Sequence, residues 1–277
     1  MLKKLLKPII AEKKETLPNT VILNFLKEYI QYLTLSFIYN HKQFKNFVFK
    51  GGSCLRICFQ LPRLSEDLDF DYQKSKFPPS PLKNLELYLA EEIKKKYYQD
   101  LETKEQEERR IYLKFPFLYE LGLAQKPESN KLYVKIETSD SIPESAETEL
   151  TPISKFGFNI VVRHYNLPSL MAGKINALLN RVWFKGEKQQ IDIKGRDFYD
   201  LYWFLKNDVQ PNMAMLKKMT GIKNKKELKR ILKERVKKTV TPQKLNYDLK
   251  NFISDQEFTK DFSKNYLEII EKQLDAL

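Results

Sequence analysis

Between residues 17 and 40, apolar side chains recur at helical spacing: Ile22, Leu26, Ile30, Leu33 and Phe37. They follow a turn-like Pro18-Asn19-Thr20. That period predicts one long amphipathic helix. Phe47-Val48-Phe49 then reads as a short strand ending at Gly51-Gly52, and Ser53 to Gln60 as the start of a helix. Over residues 67–71 the period drops to two, with Leu68 and Phe70 alternating with Asp67, Asp69 and Asp71. This is the pattern of a strand with one apolar face. The Pro-rich stretch Phe77 to Pro81 reads as a loop, and residues 82–98 as a helix with a basic end at Lys94-Lys95-Lys96. Strands are expected over 111–119, 131–138 and 156–163, with an acidic loop from Asp140 to Glu149 between the last two. From Leu167 the pattern is helical almost to the end, and no internal repeat is found. Strands first and helices afterwards predict an α+β fold, with one unit over 1–165 and a helical C-terminal subdomain over 166–277.

Composition sharpens this picture. A chain of 277 residues exceeds the usual single-domain size, which agrees with two subdomains. With 42% hydrophobic and 13% aromatic residues it can bury a core, which excludes wholesale disorder. Lys and Arg number 49 against 36 Asp and Glu, a net charge of +13. A surplus of this size favours an anionic partner such as nucleic acid, nucleotide or acidic membrane. A generally Lys-rich surface accounts for it equally well on charge alone. Much of the surplus lies between Lys217 and Lys238, where eleven Lys or Arg face only Glu227 and Glu234. Leu228, Ile231 and Leu232 keep a narrow apolar stripe there, so the segment reads as a docked helix with a basic outer face.

The N-terminal MLKKLLKPIIAEKKE lacks the long apolar run and cleavage site of a signal peptide. No stretch approaches the roughly 18 apolar residues of a membrane span. The expectation is a cytoplasmic protein with no membrane partner. Cys54 and Cys58, four apart on an expected helix, share a face and read as reduced core residues rather than a disulfide or a metal pair. The two histidines, His41 and His164, lie far apart in sequence, leaving almost nothing from which to build a Cys/His zinc site.

The segment richest in chemistry is Lys50-Gly51-Gly52-Ser53 followed by Arg63-Leu64-Ser65-Glu66-Asp67-Leu68-Asp69-Phe70. Side chains two apart on a strand face the same way, so Asp67 and Asp69 present adjacent carboxylates. Each raises the other's pKa, and a hard divalent cation relieves the repulsion. Mg²⁺ suits such oxygens together with substrate phosphates, with Mn²⁺ as a substitute. A pair of ions can clamp the attacking and leaving oxygens of a phosphoryl displacement. Gly51-Gly52 permits close backbone approach to a ligand, and Ser53 at a helix start offers a hydroxyl and N–H groups to phosphate. Taken singly, each feature has a plainer reading: a turn, an N-cap, a solvated edge. Asp71 shares the face of Asp67 and Asp69 and dilutes the assignment. Their combination within residues 50–70 points to a nucleotide site.

Gly51-Gly52-Ser53 followed by Arg63-x-Ser65-x-Asp67-x-Asp69-Phe70 resembles the AbiEii/AbiGii toxin family of nucleotidyltransferases. That family is related to the MenT toxins and belongs to the DNA polymerase β-like superfamily. Lys174 in MAGKINALLNR and the segment Arg196-Asp197-Phe198-Tyr199-Asp200-Leu201 are similar to two further family segments. The four run in order over about residues 45–205.

The resemblance implies a nucleotidyltransferase-type mixed β-sheet with flanking helices. It also implies that Asp67 and Asp69 hold metal, that Gly52, Ser53, Arg63 and Lys174 belong to the nucleotide site, and that Asp197 is an acid needed for activity. Read from the residues alone, Lys174 is a solvent-facing helix Lys, Asp197 a helix cap, and Asp200 a partner of Arg196 at helical spacing. Arg63 either binds phosphate or braces the strand. Glu137, on a strand with Lys135 on the same face, is the candidate third carboxylate and general base; its alternative is a surface partner for Lys135. The function implied is transfer of a nucleoside monophosphate from an NTP to an acceptor hydroxyl, by a toxin with a cognate antitoxin protein. Related toxins modify the tRNA 3′ end, which makes tRNA or other RNA the expected acceptor. The rivals are nucleotidylation of a protein hydroxyl and a non-catalytic nucleotide- or antitoxin-binding module.

Overall fold

In the computed structural model, which describes residues 1–182, 184 and 191–277, strands and helices divide between two compact units. The first comprises residues 1–142 and 148–164, the second 143–147 and 165–277.

The first unit contains α1 (Leu2–Lys13), α2 (Asn19–Asn40), β1 (Val48–Lys50), α3 (Gly51–Phe59), β2 (Asp67–Asp71), α4 (Pro81–Lys96), β3 (Glu102–Gln106), β4 (Arg110–Pro116), β5 (Lys131–Ser139), β6 (Thr148–Lys155) and β7 (Phe158–Tyr165). Its strands form a seven-stranded mixed sheet in the order β3-β4-β5-β2-β1-β7-β6. β2 runs antiparallel to β1 and parallel to β5, while β1 is parallel to β7. The alternation read along residues 67–71 appears directly: Leu68 and Phe70 are buried, and Leu68 pairs with Ile136 of β5. Val134 and Ile136, with Ile111, Leu113 and Phe115 of β4, continue the buried row. Helix α2 packs on β5 and carries buried residues around most of its circumference, as a central helix must.

The second unit is helical: α5 (Leu167–Asn180), α6 (Gly195–Lys206), α7 (Met213–Thr220), α8 (Lys225–Thr239), α9 (Pro242–Leu249) and α10 (Gln256–Ala276). Asn166, Asn212, Asn224, Thr241 and Asp255 cap α5, α7, α8, α9 and α10 with side-chain oxygens. Buried Tyr266 of α10 donates its hydroxyl hydrogen to the Phe198 carbonyl of α6 at 2.9 Å. Among the described residues no helix is long and apolar enough to cross a membrane.

Three local expectations change. The strand expected over 156–163 is present as β7, but a further strand, β6, precedes it and joins it at Phe156-Gly157, where φ is +54° and +81°. Pro152 argues against a central strand, and β6 is indeed an edge strand. The acidic loop therefore ends at residue 147, where β6 begins. β3, whose Glu-Thr-Lys-Glu-Gln carries no apolar row, is the other edge. Finally, His164 is distant from the cysteines in sequence but not in space: its ring lies among Cys54 and Cys58. The two cysteines are free thiols, as expected, but the sequence separation of His164 does not keep it from them in space.

Candidate active site

The sheet face opposite the apolar row carries the chemistry. In the parallel pairing of β2 with β5, Asp67 lies opposite Lys135 and Asp69 opposite Glu137. In the antiparallel pairing of β4 with β5, Arg110 lies opposite Glu137. Three carboxylates from two strands thus share one patch, with a lysine among them: Lys135 Nζ is 3.3 Å from Asp67 and 3.1 Å from Glu137. Arg110 donates to Glu137 at 2.8 Å. Burial pushes the Glu137 carboxyl up, but Lys135 and Arg110 together hold it below the usual carboxylate range. A carboxylate held ionised in this way suits cation binding and is a poor proton acceptor, which weakens its candidacy as general base.

Asp71 does not compete for this site. It is 1% exposed and bound to Lys50 Nζ at 2.5 Å, so it serves as an internal brace.

The Gly-Gly turn is built around the same carboxylates. Gly51 sits at φ +79°, and a Cβ there would overlap the Asp69 carboxylate. A Cβ on Gly52 would come within 2.7 Å of the Arg63 guanidinium and 2.9 Å of Ser65 Oγ. Both glycines therefore make room for neighbouring polar groups of the site. Helix α3 begins at Gly51, so the early N–H groups of its first turn come from Gly51, Gly52 and Ser53. The Ser53 hydroxyl donates to the Asp67 carbonyl, tying α3 to the carboxylate strand. Arg63 is 1% exposed, lies under Gly52 and donates to the Leu64 carbonyl at 2.8 Å. Of its two expected roles, this is the geometry of the brace.

Lys174 and Asp197 belong to the second unit. Lys174, on α5, is not a solvent-facing lysine: its Nζ lies 3.2 Å from Asp197 and 2.6 Å from fully buried Asp200. Asp197 lies in the first turn of α6, but the cap position is Lys194, and its carboxylate also takes a hydrogen bond from Arg181 at 2.6 Å. Burial raises the Asp197 pKa, yet Lys174, Arg181 and Lys194 together bring it down to about 2. Arg196 pairs with Asp248 of α9 at 3.2 Å. Lys194 was not singled out from sequence. Its pKa is lowered to about 8, chiefly by burial and then by Arg196. Lys194, Arg181, Arg235 and Asp197 line a small pocket of this unit, a setting in which an anion would find several cations. No spacing rule could have found this group, because its members come from the residue after α5, from α6 and α8, and from the chain before α6.

The basic outer face of α8 is partly neutralised. Lys229 and Lys233 reach Asp275 of α10 at 3.1 and 2.7 Å, and Lys237 reaches Glu271 at 2.7 Å. Lys225, Lys226 and Arg230 remain exposed, although Arg230 meets Glu234 at 2.8 Å.

A family model described as "Nucleotidyl transferase AbiEii toxin, Type IV TA system" matches residues 35–277, well beyond the motif-bearing segment. Among solved structures, MenT4, a nucleotidyltransferase toxin from Mycobacterium tuberculosis H37Rv, is similar at 16% identity with a TM-score of 0.52, covering 93% of this chain and 86% of that one. JHP933 from Helicobacter pylori is similar at 21% identity with a TM-score of 0.46, covering 91% and 94%. The likeness to MenT4 is one of fold. No curated protein matches the chain.

Proposed function

The chain belongs to the AbiEii nucleotidyltransferase toxin family, and from that premise we propose that it transfers a nucleoside monophosphate from an NTP to an RNA hydroxyl, the tRNA 3′ end being the expected acceptor. The bond formed joins the acceptor oxygen to the α-phosphorus; the bond broken lies between the α- and β-phosphates, and pyrophosphate leaves. The observation that carries the reading is the shared face of Asp67, Asp69 and Glu137, set beside the Gly51-Gly52-Ser53 turn.

The donor set fits Mg²⁺, or Mn²⁺ in its place. It offers hard carboxylate oxygens on one face, and Gly51 gives up a side chain where Asp69 needs the room. Asp67 and Asp69 would hold the ion, with Glu137 as the third carboxylate. When bound, the ion supplies charge neutralisation for the phosphates in an in-line displacement. Lys135 already offsets part of the negative charge, lying 3.3 Å from Asp67 and 3.1 Å from Glu137. The start of α3 is suited to phosphate oxygens at Gly51, the partly exposed residue of the turn, whereas Ser53 is fully buried. Arg63 holds the strand approach in place from beneath. Lys174 and Asp197 are proposed as further requirements of the reaction. A cognate antitoxin protein is expected from the family, and the exposed cations of α8 offer phosphate contacts to RNA.

The test is to incubate the purified protein with each α-labelled NTP, total tRNA and Mg²⁺. Label in RNA is the expected result. Label in protein would favour a protein hydroxyl as acceptor, and NTP binding without transfer would demote the chain to a binding module. Asp67→Asn and Asp69→Asn should each lower transfer by about two orders of magnitude or more while leaving the fold intact. Near-normal transfer by either folded variant would refute the assignment of the metal pair.

A further inference from the structure

Both cysteines of this chain and one of its two histidines meet at a single point. Cys54 and Cys58 lie one turn apart on α3, and His164 lies on β7, where it pairs with Phe49 of β1. Their ligand atoms all fall within 4.8 Å of one another, and His164 and Cys54 are fully buried. We propose that Cys54, Cys58 and His164 form a second metal site, separate in chemistry from the carboxylate face, that takes a thiolate-preferring divalent ion, Zn²⁺ above others.

Donor chemistry makes the choice. Two sulfurs and an imidazole nitrogen select Zn²⁺, whereas Mg²⁺ needs oxygen. A tetrahedral site with bonds of about 2.0–2.3 Å places ligands about 3.3–3.8 Å apart, so side-chain adjustments of about an ångström close the observed cluster. The histidine is already oriented: Nε2 is 2.7 Å from Thr151 Oγ1 on β6, an outer contact of the kind that fixes a ligating imidazole. That assigns Nδ1 to the ion. Glu149, also on β6, has a carboxylate oxygen 3.8 Å from Nδ1 but falls outside the three-residue cluster, so it would have to move towards the ion to serve as a fourth ligand. An ion here would staple α3 to β6 and β7. Because α3 opens at Gly51-Gly52-Ser53, the staple would fix the turn against the carboxylate strand. Its role is thus to position the nucleotide site without touching substrate.

The test is metal analysis of the protein purified under reducing conditions, followed by titration of the metal-free protein with Co²⁺. The expected result is about one Zn²⁺ per chain and, with Co²⁺, the thiolate charge-transfer and visible bands of a tetrahedral sulfur site. Cys58→Ser is the primary variant, because Cys58 is half-buried and tolerates the change better than the two fully buried ligands. It should lose the zinc and the charge-transfer bands while keeping the far-ultraviolet spectrum of the folded chain. Asp67→Asn should keep both, which separates this site from the carboxylate face. Zinc removal should lower the melting temperature by several degrees. Absence of zinc together with absence of the Co²⁺ bands would overturn the proposal. Bands that persist in folded Cys58→Ser would also overturn it, as would a Cys54–Cys58 disulfide whose reduction restores no metal binding.

Discussion

Replacing Gly51 with alanine tests whether the Gly-Gly turn exists to accommodate a carboxylate. Gly51 lies at φ +79°, and an alanine there carries a left-handed penalty of about 1–2 kcal/mol. Gly221, the C-terminal cap of α7, also lies at φ +79°, but a Cβ there meets nothing within 4 Å. The two glycines therefore share the backbone cost and differ in one respect: only at Gly51 would the methyl overlap the Asp69 carboxylate. Asp69 would have to move by about an ångström, and a displacement of that size at a reacting centre costs about 100-fold in rate, or about 2.7 kcal/mol of barrier. Both variants should unfold more easily by a similar backbone increment, with Gly51→Ala losing somewhat more. Transfer of labelled NMP to RNA, normalised to folded protein, should fall about 100-fold in Gly51→Ala and stay near wild type in Gly221→Ala. Equal transfer by the two variants would show that Asp69 need not occupy its observed position, and would remove the physical reason given for the turn.

The remaining expectations concern the second unit. Asp197 is held at about 2 against its ordinary 3.8, a depressed folded-state value. Its stabilisation is therefore complete above about pH 4 and is lost as pH falls towards 2, amounting to about 2 kcal/mol. Urea titrations at stepped pH should show that loss in the wild type and lack it in Asp197→Asn; identical slopes would refute it. Lys174→Ala leaves buried Asp200 without its lysine and should cost about 3–5 kcal/mol, so lost growth inhibition must be normalised to soluble protein. Lys174→Arg keeps the charge and should remain folded, yet lose at least about tenfold in transfer, because a planar fork does not replace a compact ammonium. Unchanged kcat in Lys174→Arg would restrict Lys174 to a structural role. Reversing exposed Lys225, Lys226 and Arg230 to Glu should weaken tRNA binding at least about tenfold at ~0.1 M salt and flatten its salt dependence, with little change in KM for NTP. Lys229→Glu alone should do less, since Lys229 already serves Asp275. Unchanged tRNA binding in the triple variant would remove α8 from the acceptor site.

The carboxylate strand was legible in the sequence because its physics is local. A period of two places Asp67 and Asp69 on one face and Leu68 and Phe70 on the other, whatever surrounds them. The same holds for the helical period of α2 and for the motif order that marks the family. Edge strands were not legible: β3 is polar along its length and β6 contains Pro152, since a strand paired on one side needs no apolar row to hold it. Nor could the sequence decide partners that depend on register. Only the pairing of β2 with β5 sets Lys135 between Asp67 and Glu137, and that placement is what holds Glu137 ionised. Asp71, equivalent to Asp67 by alternation, is taken out of the site by Lys50 on the adjacent strand. Lys174 reads as a solvated helix residue until α6 brings Asp197 and Asp200 to it. The thiols of α3 met a histidine 106 positions beyond Cys58 because β1, which leads into α3, pairs with β7. Spacing along the chain fixes which side chains share a face of one element. Which faces meet is decided by chain crossings that cost little per added residue of loop and leave no periodic mark in the sequence.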